Sequence, residues 1–527
     1  MTLNELHQRL DKLNSIGIAL SAETQIQSLI EVILVAAIDL VQADAGTIYL
    51  VRDDALHFEI LLNYSLGVAM GGSSGKAITL PSVPLYTPDG KPNLANVVAC
   101  AVNQNKTINI ADAYTAEGYD FSGTRRFDEN VGYHSQSFLS VPMRNHEGEV
   151  IGALQLINAM TPQHEICEFS LSDQHLVESL ASQAAIAITN RMLINSLQQL
   201  FEGFISLINL AIDDKSPYTG GHCQRVPELT MLLAEAVSRT QRGAFRDFSL
   251  TERDRYELKI AGLLHDCGKV TTPVHVVDKA TKLQTIFDRI HLLDTRFEVL
   301  MRDAEIAHLR GHIDAASYSQ QLADLQSDRN FIRQANLGGE MMKDADIERI
   351  GRIAGRVWCC VDGEEQAFLS PDEVENLSIR KGTLTSAERQ IINHHIEVTI
   401  QMLEALPWPK HLKNVPEYAG GHHERMDGKG YPKGLRREQM SVQARIMGIA
   451  DVFEALTARD RPYKDGMKLS MALSILTKMA CEQHVDKELL EVFLREGVWR
   501  DYAEKFLGEP QCDAVDIDKL LQQLSDS

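Results

Sequence analysis

The feature that most restricts this chain is a long helical repeat over residues 173–213. Apolar side chains recur there at Leu176, Val177, Leu180, Ala184, Ile188, Leu193, Leu197, Leu200, Phe204, Ile208 and Ile212, mostly three or four residues apart. No proline interrupts the run and Gly203 is its only glycine, so it reads as one long helix. An apolar stripe of this length needs a cover, and the same helix of a second chain would supply one. The expectation is a parallel homodimer held through this connecting helix. A chain of 527 residues is also too long for one ordinary core, so two or three domains are expected around the connector.

Ahead of the connector the pattern changes. Leu3, Leu6, Leu10, Leu13, Ile16 and Leu20 lie at helical spacing, and residues 24–42 give a second helix. Residues 46–52 and 56–63 then read as strands flanking an Asp53-Asp54 turn, which is a hairpin signal. Residues 137–144 and 149–158 form another hairpin through the turn at 145–148. Helices packed on a mainly antiparallel sheet make an α+β domain.

Bulk properties exclude some partners. A net charge of −21 and a pI near 5.3 argue against polymeric nucleic acid, which needs a basic face. The longest apolar stretch, residues 28–41, is broken by Glu31 and Asp39, so no membrane span is expected. The eight cysteines contain no CxxC pair, which points to reduced thiols and a cytoplasmic protein.

Chemistry gathers after the connector. His222 begins a new helix. His265 and Asp266 sit side by side at the end of an apolar run, with Lys269 three residues after the Asp. A helix led by Thr385 carries His394 and His395, and residues 422–432 contain His422, His423, Arg425, Lys429 and a Gly430-Tyr431-Pro432 loop. Asp451 stands alone on an apolar helix. A His-Asp dipeptide is common by chance, and paired histidines are often exposed. A lone carboxylate in an apolar setting is costly, however, and a bound cation removes that cost. Asp266, with two oxygens, can bridge a pair of metal ions while His265 binds one of them.

Two family resemblances follow from these residues. Residues 138–143 and 152–158 resemble the final hairpin of GAF domains from cyclic-nucleotide phosphodiesterases, a likeness covering about residues 20–195. The Asn-Lys…Phe…Asp-Glu signature of those domains meets Asn158, Ala159, Phe169, Asp173 and Gln174 here. The missing Lys and Glu count against a cyclic-nucleotide ligand and leave a small-molecule or structural role for the sensor.

Over about residues 205–510, the order His…His-Asp…His…His-His…Asp, with Lys269 and Gly430-Tyr431-Pro432, resembles the HD-GYP family. The resemblance implies a multidomain chain in which an α+β GAF domain is joined by a long helix to an all-α HD-type metal phosphohydrolase domain. It implies a bacterial signal-transduction enzyme that opens cyclic di-GMP to linear pGpG, and leaves open whether pGpG is cut again to GMP. The alternatives are another substrate such as cyclic GMP-AMP, or a non-catalytic module that docks diguanylate cyclase domains. By resemblance, His222, His265, Asp266 and Asp451 hold one divalent ion, and Asp266, His395, His422 and His423 hold a second. His395 is preferred to His394 because it follows Glu388 by seven residues, as in the family pattern. An imidazole-rich set suits Fe or Mn, with Zn and Ni as alternatives. Lys269, Tyr431, Arg461 and Lys464 are the candidate substrate-binding residues, and Asp266 and Lys269 the catalytic ones.

Several positions depart from the family. Tyr218 stands where some members carry a third-metal Glu, so two ions are expected. Cys267 replaces the usual Ile, and Glu454 stands where Asp is usual. About one hundred residues, 284–382, separate segments that are nearly continuous in the family; residues 284–345 read as a helical hairpin. His308 and His312 share helical spacing there without a third ligand and are expected at the surface. The implied domains are 1–172, 173–213 and 214–510, with 511–527 as a tail.

Overall fold

Asp53 and Asp54 both adopt left-handed backbone, φ 48° and 58°. That is the geometry of the tight turn joining β1 (Ala43–Arg52) to β2 (Ala55–Asn63). The computed structural model describes residues 15–20, 23, 25–215, 221–240, 243–339, 341–359, 363–459 and 466–527. The helix expected to begin at Leu3 lies outside them as far as residue 14. Clustering of the chain gives two units, Met1–Glu202 and Gly203–Ser527.

The first unit is an α+β domain. Its sheet continues through β3 (Val68–Gly71), β4 (Val83–Pro84), β5 (Ile108–Ile110), β6 (Phe138–Arg144), β7 (Val150–Met160) and β8 (Ile166–Cys167). The order is β3-β2-β1-β7-β6-β5, with β4 on β2 and β8 on β7, and every pairing is antiparallel. Its helices are α1 (Ile26–Val41), α2 (Val97–Gln104), α3 (Ser122–Val131) and the start of α4 (Leu171–Lys215). Leu29, Ile33 and Leu34 of α1 and Leu180, Ala184 and Ile188 of α4 share one core with Leu139, Leu154 and Leu156 of the sheet.

The connector is α4, 45 residues without a break. Its buried residues include Ile205 and Ile212, whereas Leu193, Leu197, Leu200, Phe204 and Leu207 are each half or more exposed. Those five positions alternate by four and three residues, the spacing of a coiled-coil seam.

The second unit is built from helices. They are α5 (His222–Arg239), α6 (Glu252–Leu264), α7 (Val274–Val277), α8 (Ile290–Leu309), α9 (Ala315–Asn336), α10 (Asp344–Ala354), α11 (Pro371–Leu377), α12 (Ser386–Glu404) and α13 (Val415–Gly420). Then come α14 (Val442–Thr457), α15 (Leu469–Cys481), α16 (Lys487–Arg495), α17 (Val498–Phe506) and α18 (Ile517–Asp526). Thr251 and Thr385 open α6 and α12 with reciprocal capping boxes to Asp254 and Glu388. The family pattern's all-α expectation needs one local correction. A two-stranded hairpin, β9 (Val357–Cys359) with β10 (Glu365–Ala367), lies in the insertion, where a Val-Trp-Cys run favours extended backbone.

The expected helical hairpin of the insertion is α8 and α9. It has a core of its own that includes Leu293, Phe297, Leu325, Ile332, Phe368 and Leu377. Just before the insertion lies Lys279, whose buried ammonium donates to Asn376 Oδ1 (2.7 Å) near the insertion's end and to Glu388 Oε1 and Oε2 (2.8 and 2.7 Å). The cap of α12 and the end of the insertion are thus tied through one cation. Among the described residues no helix is long and apolar enough to cross a membrane. Cys100, Cys167, Cys223, Cys267, Cys481 and Cys512 are free thiols.

Candidate metal centre

Five elements bring the candidate ligands together. His222 is the first residue of α5, and His265 closes α6 just before the chain tightens into a 3-10 turn over Cys267–Thr271. That turn presses on α12 through Gly268: a Cβ there would lie 2.0 Å from His395 O and 2.6 Å from Thr399 N. Only glycine lets Asp266 approach the helix that carries His395. His422 and His423 follow α13, and Asp451 lies within α14.

The histidines are oriented by what their other ring nitrogen does. His265 Nδ1–H donates to Gly262 O at 2.7 Å and His422 Nδ1–H to Ala419 O at 2.6 Å; His395 Nδ1–H bonds Ile392 O in the same way. His222 Nδ1–H donates to Glu454 Oε2. With Nδ1 engaged in this way, each Nε2 is turned inward.

Asp266 stands between the inward nitrogens. Its Oδ2 lies 3.1 Å from His222 Nε2 and 3.3 Å from His265 Nε2, while Oδ1 lies 3.3 Å from His395 Nε2. Asp451 Oδ1 is 3.3 Å from His222 Nε2 and 3.9 Å from His265 Nε2. Two groups with metal-ligand spacing result: His222, His265 and Asp266, and His395, His422 and His423.

The donor set fits bound cations. His222 Nε2 and His265 Nε2 are 3.3 Å apart and both lie close to Asp266 Oδ2, so one cation could meet all three atoms. Asp266 Oδ1 and His422 Nε2 are buried without a hydrogen-bond partner, a cost that a cation would remove.

Electrostatics agree with this geometry. Burial opposes charge on Asp266, but Lys269, His265 and His222 hold its carboxyl well below the usual range. Asp451 is likewise held down against burial, by His222 and His422. Burial also opposes a charged His222, yet Glu454, Asp266 and Asp451 raise it well above its ordinary value. Burial drives His423 down to about 4, and burial together with His423 holds His422 well below its ordinary value, so both are neutral near pH 7. Lys269 stays charged against burial because Asp266 and Asp451 face it; its ammonium bonds Asp266 Oδ2.

Other expectations divide. His395 is buried in the cluster, while His394 is exposed and pairs with Glu397 at 2.8 Å. Tyr431 stacks on His423, ring centroids 4.9 Å apart and planes 19° apart. Burial, then Asp451 and Asp266, push its phenol up to about 12. Arg461, Lys464 and Tyr218 lie outside the described residues. The basic cluster at the Gly-Tyr-Pro loop is largely spent locally: Arg425 and Lys429 face Asp427, and Arg437 holds Asp486 and Glu488. His308 stacks on Tyr318 in the insertion and joins no cluster. Burial pushes the Cys267 thiol up to about 11, so it stays protonated and packs as a small apolar group.

Sequence reasoning missed Glu454 as a site residue. It is fully buried, with Oε2 on His222 and Oε1 accepting from Arg225 Nε at 2.7 Å. The available signal was spacing: Glu454 follows Asp451 by three residues on one helix and so shares its face.

Comparison with known proteins agrees with this architecture. A GAF domain model matches residues 25–188, and two HD domain models match residues 219–347 and 367–489. The 3'3'-cGAMP-specific phosphodiesterase 1 of Vibrio cholerae serotype O1 is 34% identical over 181 residues, 34% of this chain and 37% of that protein. The 3'3'-cGAMP-specific phosphodiesterase 3 of the same organism is 30% identical over 179 residues, 33% of this chain and 32% of that one. A cyclic di-GMP phosphodiesterase of Thermotoga maritima is 31% identical over 169 residues, 30% of this chain and 45% of that protein. The chain spans about a third to under half of the length of these curated relatives.

Proposed function

Because the chain joins a GAF domain to an HD domain, we propose that it is a metal-dependent phosphodiesterase that opens cyclic di-GMP to linear pGpG under control of the GAF domain. The observation that carries the reading is the placement of Asp266, one oxygen toward His222 and His265 and the other toward His395. His222, His265, Asp266 and Asp451 would hold one divalent ion, and Asp266, His395, His422 and His423 a second. Fe or Mn suits these donors best, with Zn or Ni as alternatives, and all four suit them better than Mg or Ca. Bound there, such ions would supply hydroxide near neutral pH and offset charge on the phosphodiester.

The chain's own groups do the rest. The Lys269 side chain is one-quarter exposed and kept cationic by Asp266 and Asp451, so its ammonium can meet a phosphoryl oxygen as charge develops. Glu454 fixes the His222 proton on Nδ1 and leaves Nε2 for coordination. Tyr431 forms an aromatic edge beside His423. Arg461 and Lys464 complete the substrate-binding set in this reading.

Cyclic GMP-AMP is the second reading, favoured by the names of the two Vibrio cholerae relatives. In the full arrangement, residues 1–172 sense, 173–213 connect, 214–510 catalyse with the 284–382 insertion, and 511–527 form a tail. The exposed Leu193, Leu197, Leu200, Phe204 and Leu207 favour a dimer through the connector, and the charge and composition favour a cytoplasmic setting. A non-catalytic module that docks diguanylate cyclase domains would require the wild type to be inactive.

The test is turnover of both cyclic dinucleotides by metal-reconstituted wild type and Asp266→Ala, with linear product resolved by chromatography. Wild-type cleavage and a loss of about a thousandfold in the folded variant are expected. Activity surviving in Asp266→Ala would refute the bridging role.

A further inference from the structure

Beside the candidate centre, a groove of about 680 Å³ runs along the outer face of α12, between Thr272 and the Tyr431-Pro432 pair. The helix that turns His395 inward presents Gln390, Ile391, Asn393 and His394 to this groove. Tyr431 lines it while its ring stacks on His423, so a molecule in the groove lies one aromatic ring away from the second imidazole cluster.

The lining chemistry selects an occupant. Among the described residues no Lys or Arg lines the groove, so their side chains offer a phosphate no cation there. Its one carboxylate, Glu397, is paired with His394. What remains is apolar surface from Ala387, Tyr431, Pro432 and Ile391, the last 43% exposed, the hydroxyls of Thr271 and Thr272 at one end, and two side-chain amides. Among the described residues, no hydrogen bond occupies the amides of Gln390 or Asn393. A flat, uncharged ring with a mixed donor and acceptor edge matches that combination: its faces pack on the apolar wall and its edge meets the amides.

We propose that this groove receives one purine base of the cyclic dinucleotide, and that Gln390 and Asn393 read its edge. The proposal rests on the reading of the chain as a cyclic dinucleotide phosphodiesterase. It gives the groove the choice between guanine and adenine, whose six-position substituents are an acceptor and a donor respectively. The phosphodiester under attack remains at Lys269 and the histidine clusters.

The test compares cyclic di-GMP with bis(p-nitrophenyl) phosphate, a diester without a purine, on wild type, Gln390→Leu and Asn393→Leu. The ratio of kcat/KM for cyclic di-GMP to that for the small diester should fall about tenfold or more in each variant. A ratio equal to the wild type's overturns the groove, whether both rates fall together or neither moves. If the leucine variants fail to fold, Asn393→Asp serves instead, because a carboxylate can only accept. It should change the cyclic di-GMP to cyclic GMP-AMP preference by about threefold or more, and an unchanged preference overturns the proposal. Wild type that cleaves the small diester but neither dinucleotide would instead remove the substrate reading and the groove's occupant with it.

Discussion

Replacing Glu454 tests how far the centre depends on a residue that touches no substrate. Its carboxylate is fully buried and shared by His222 Nδ1 and Arg225 Nε. Glu454→Ala leaves an imidazole N–H and a guanidinium buried without an acceptor. Breaking a buried pair of this kind costs about 3–5 kcal/mol. A domain of ordinary stability, about 5–15 kcal/mol, survives that loss with a lowered Tm. Glu454→Gln is the sharper variant: it keeps the shape and one acceptor, so the stability cost falls to about 1–3 kcal/mol. Metal affinity should still drop about 10- to 100-fold, because the carboxylate that fixes the ligand tautomer is gone. The pH dependence has a definite sign. Burial works to discharge His222, and Glu454 is foremost among the carboxylates that overcome it and raise its pKa. In the wild type a proton therefore competes with metal for His222 as pH falls, and the Gln variant relieves that competition. Its affinity deficit should be larger at pH 8 than at pH 6. Chelator competition at the two pH values measures it, and wild-type affinity in Glu454→Gln at pH 8 would refute the reasoning.

Three further outcomes follow from particular contacts. Gly268→Ala places a methyl 2.0 Å from His395 O, so the Asp266 segment must leave α12; metal content and turnover should both fall more than about tenfold, and wild-type metal content would contradict this. Lys282 is 1% exposed with its ammonium on Leu377 O at 3.0 Å, and burial, partly offset by Asp346, lowers its pKa from 10.5 to about 8. Between those values the unfolded chain binds more protons, so stability should rise with pH across that window. Lys282→Met should abolish the rise and stabilise the protein at pH 7 by about 1–3 kcal/mol, as read by denaturant melts; a less stable variant would count against it. Leu200→Glu with Phe204→Glu should convert a dimer to a monomer in light scattering, whereas monomeric wild type at micromolar concentration would remove the coiled-coil reading.

Much of this organisation was legible in the sequence because it is carried by local patterns. The proline-free repeat at 173–213 and the hairpin at Asp53-Asp54 each have a short-range cause, and both appear as α4 and the β1–β2 turn. The centre was legible through residue types: His222, His265, Asp266, His395, His422, His423 and Asp451 converge although they span some 230 residues. What escaped was pairing at long range. Glu454 lies 232 residues from His222, and as a glutamate at an aspartate's usual place it read as a substitution rather than a partner. The insertion's helices were visible in composition, but not that Lys279 would clamp its last helix to the cap of α12. Nor does a stretch of sequence show which cations are already spent. Arg425 pairs with Asp427 and Arg437 with Asp486, pairings that no local pattern announces.

If Asp266 is shared by two divalent ions, the number of ions bound per chain reports it. Elemental analysis of the 527-residue chain, purified without oxygen and reconstituted with Fe or Mn, should give two ions per chain, and fewer in folded Asp266→Ala. One ion or three in the wild type, or an undiminished count in the variant, would contradict the account.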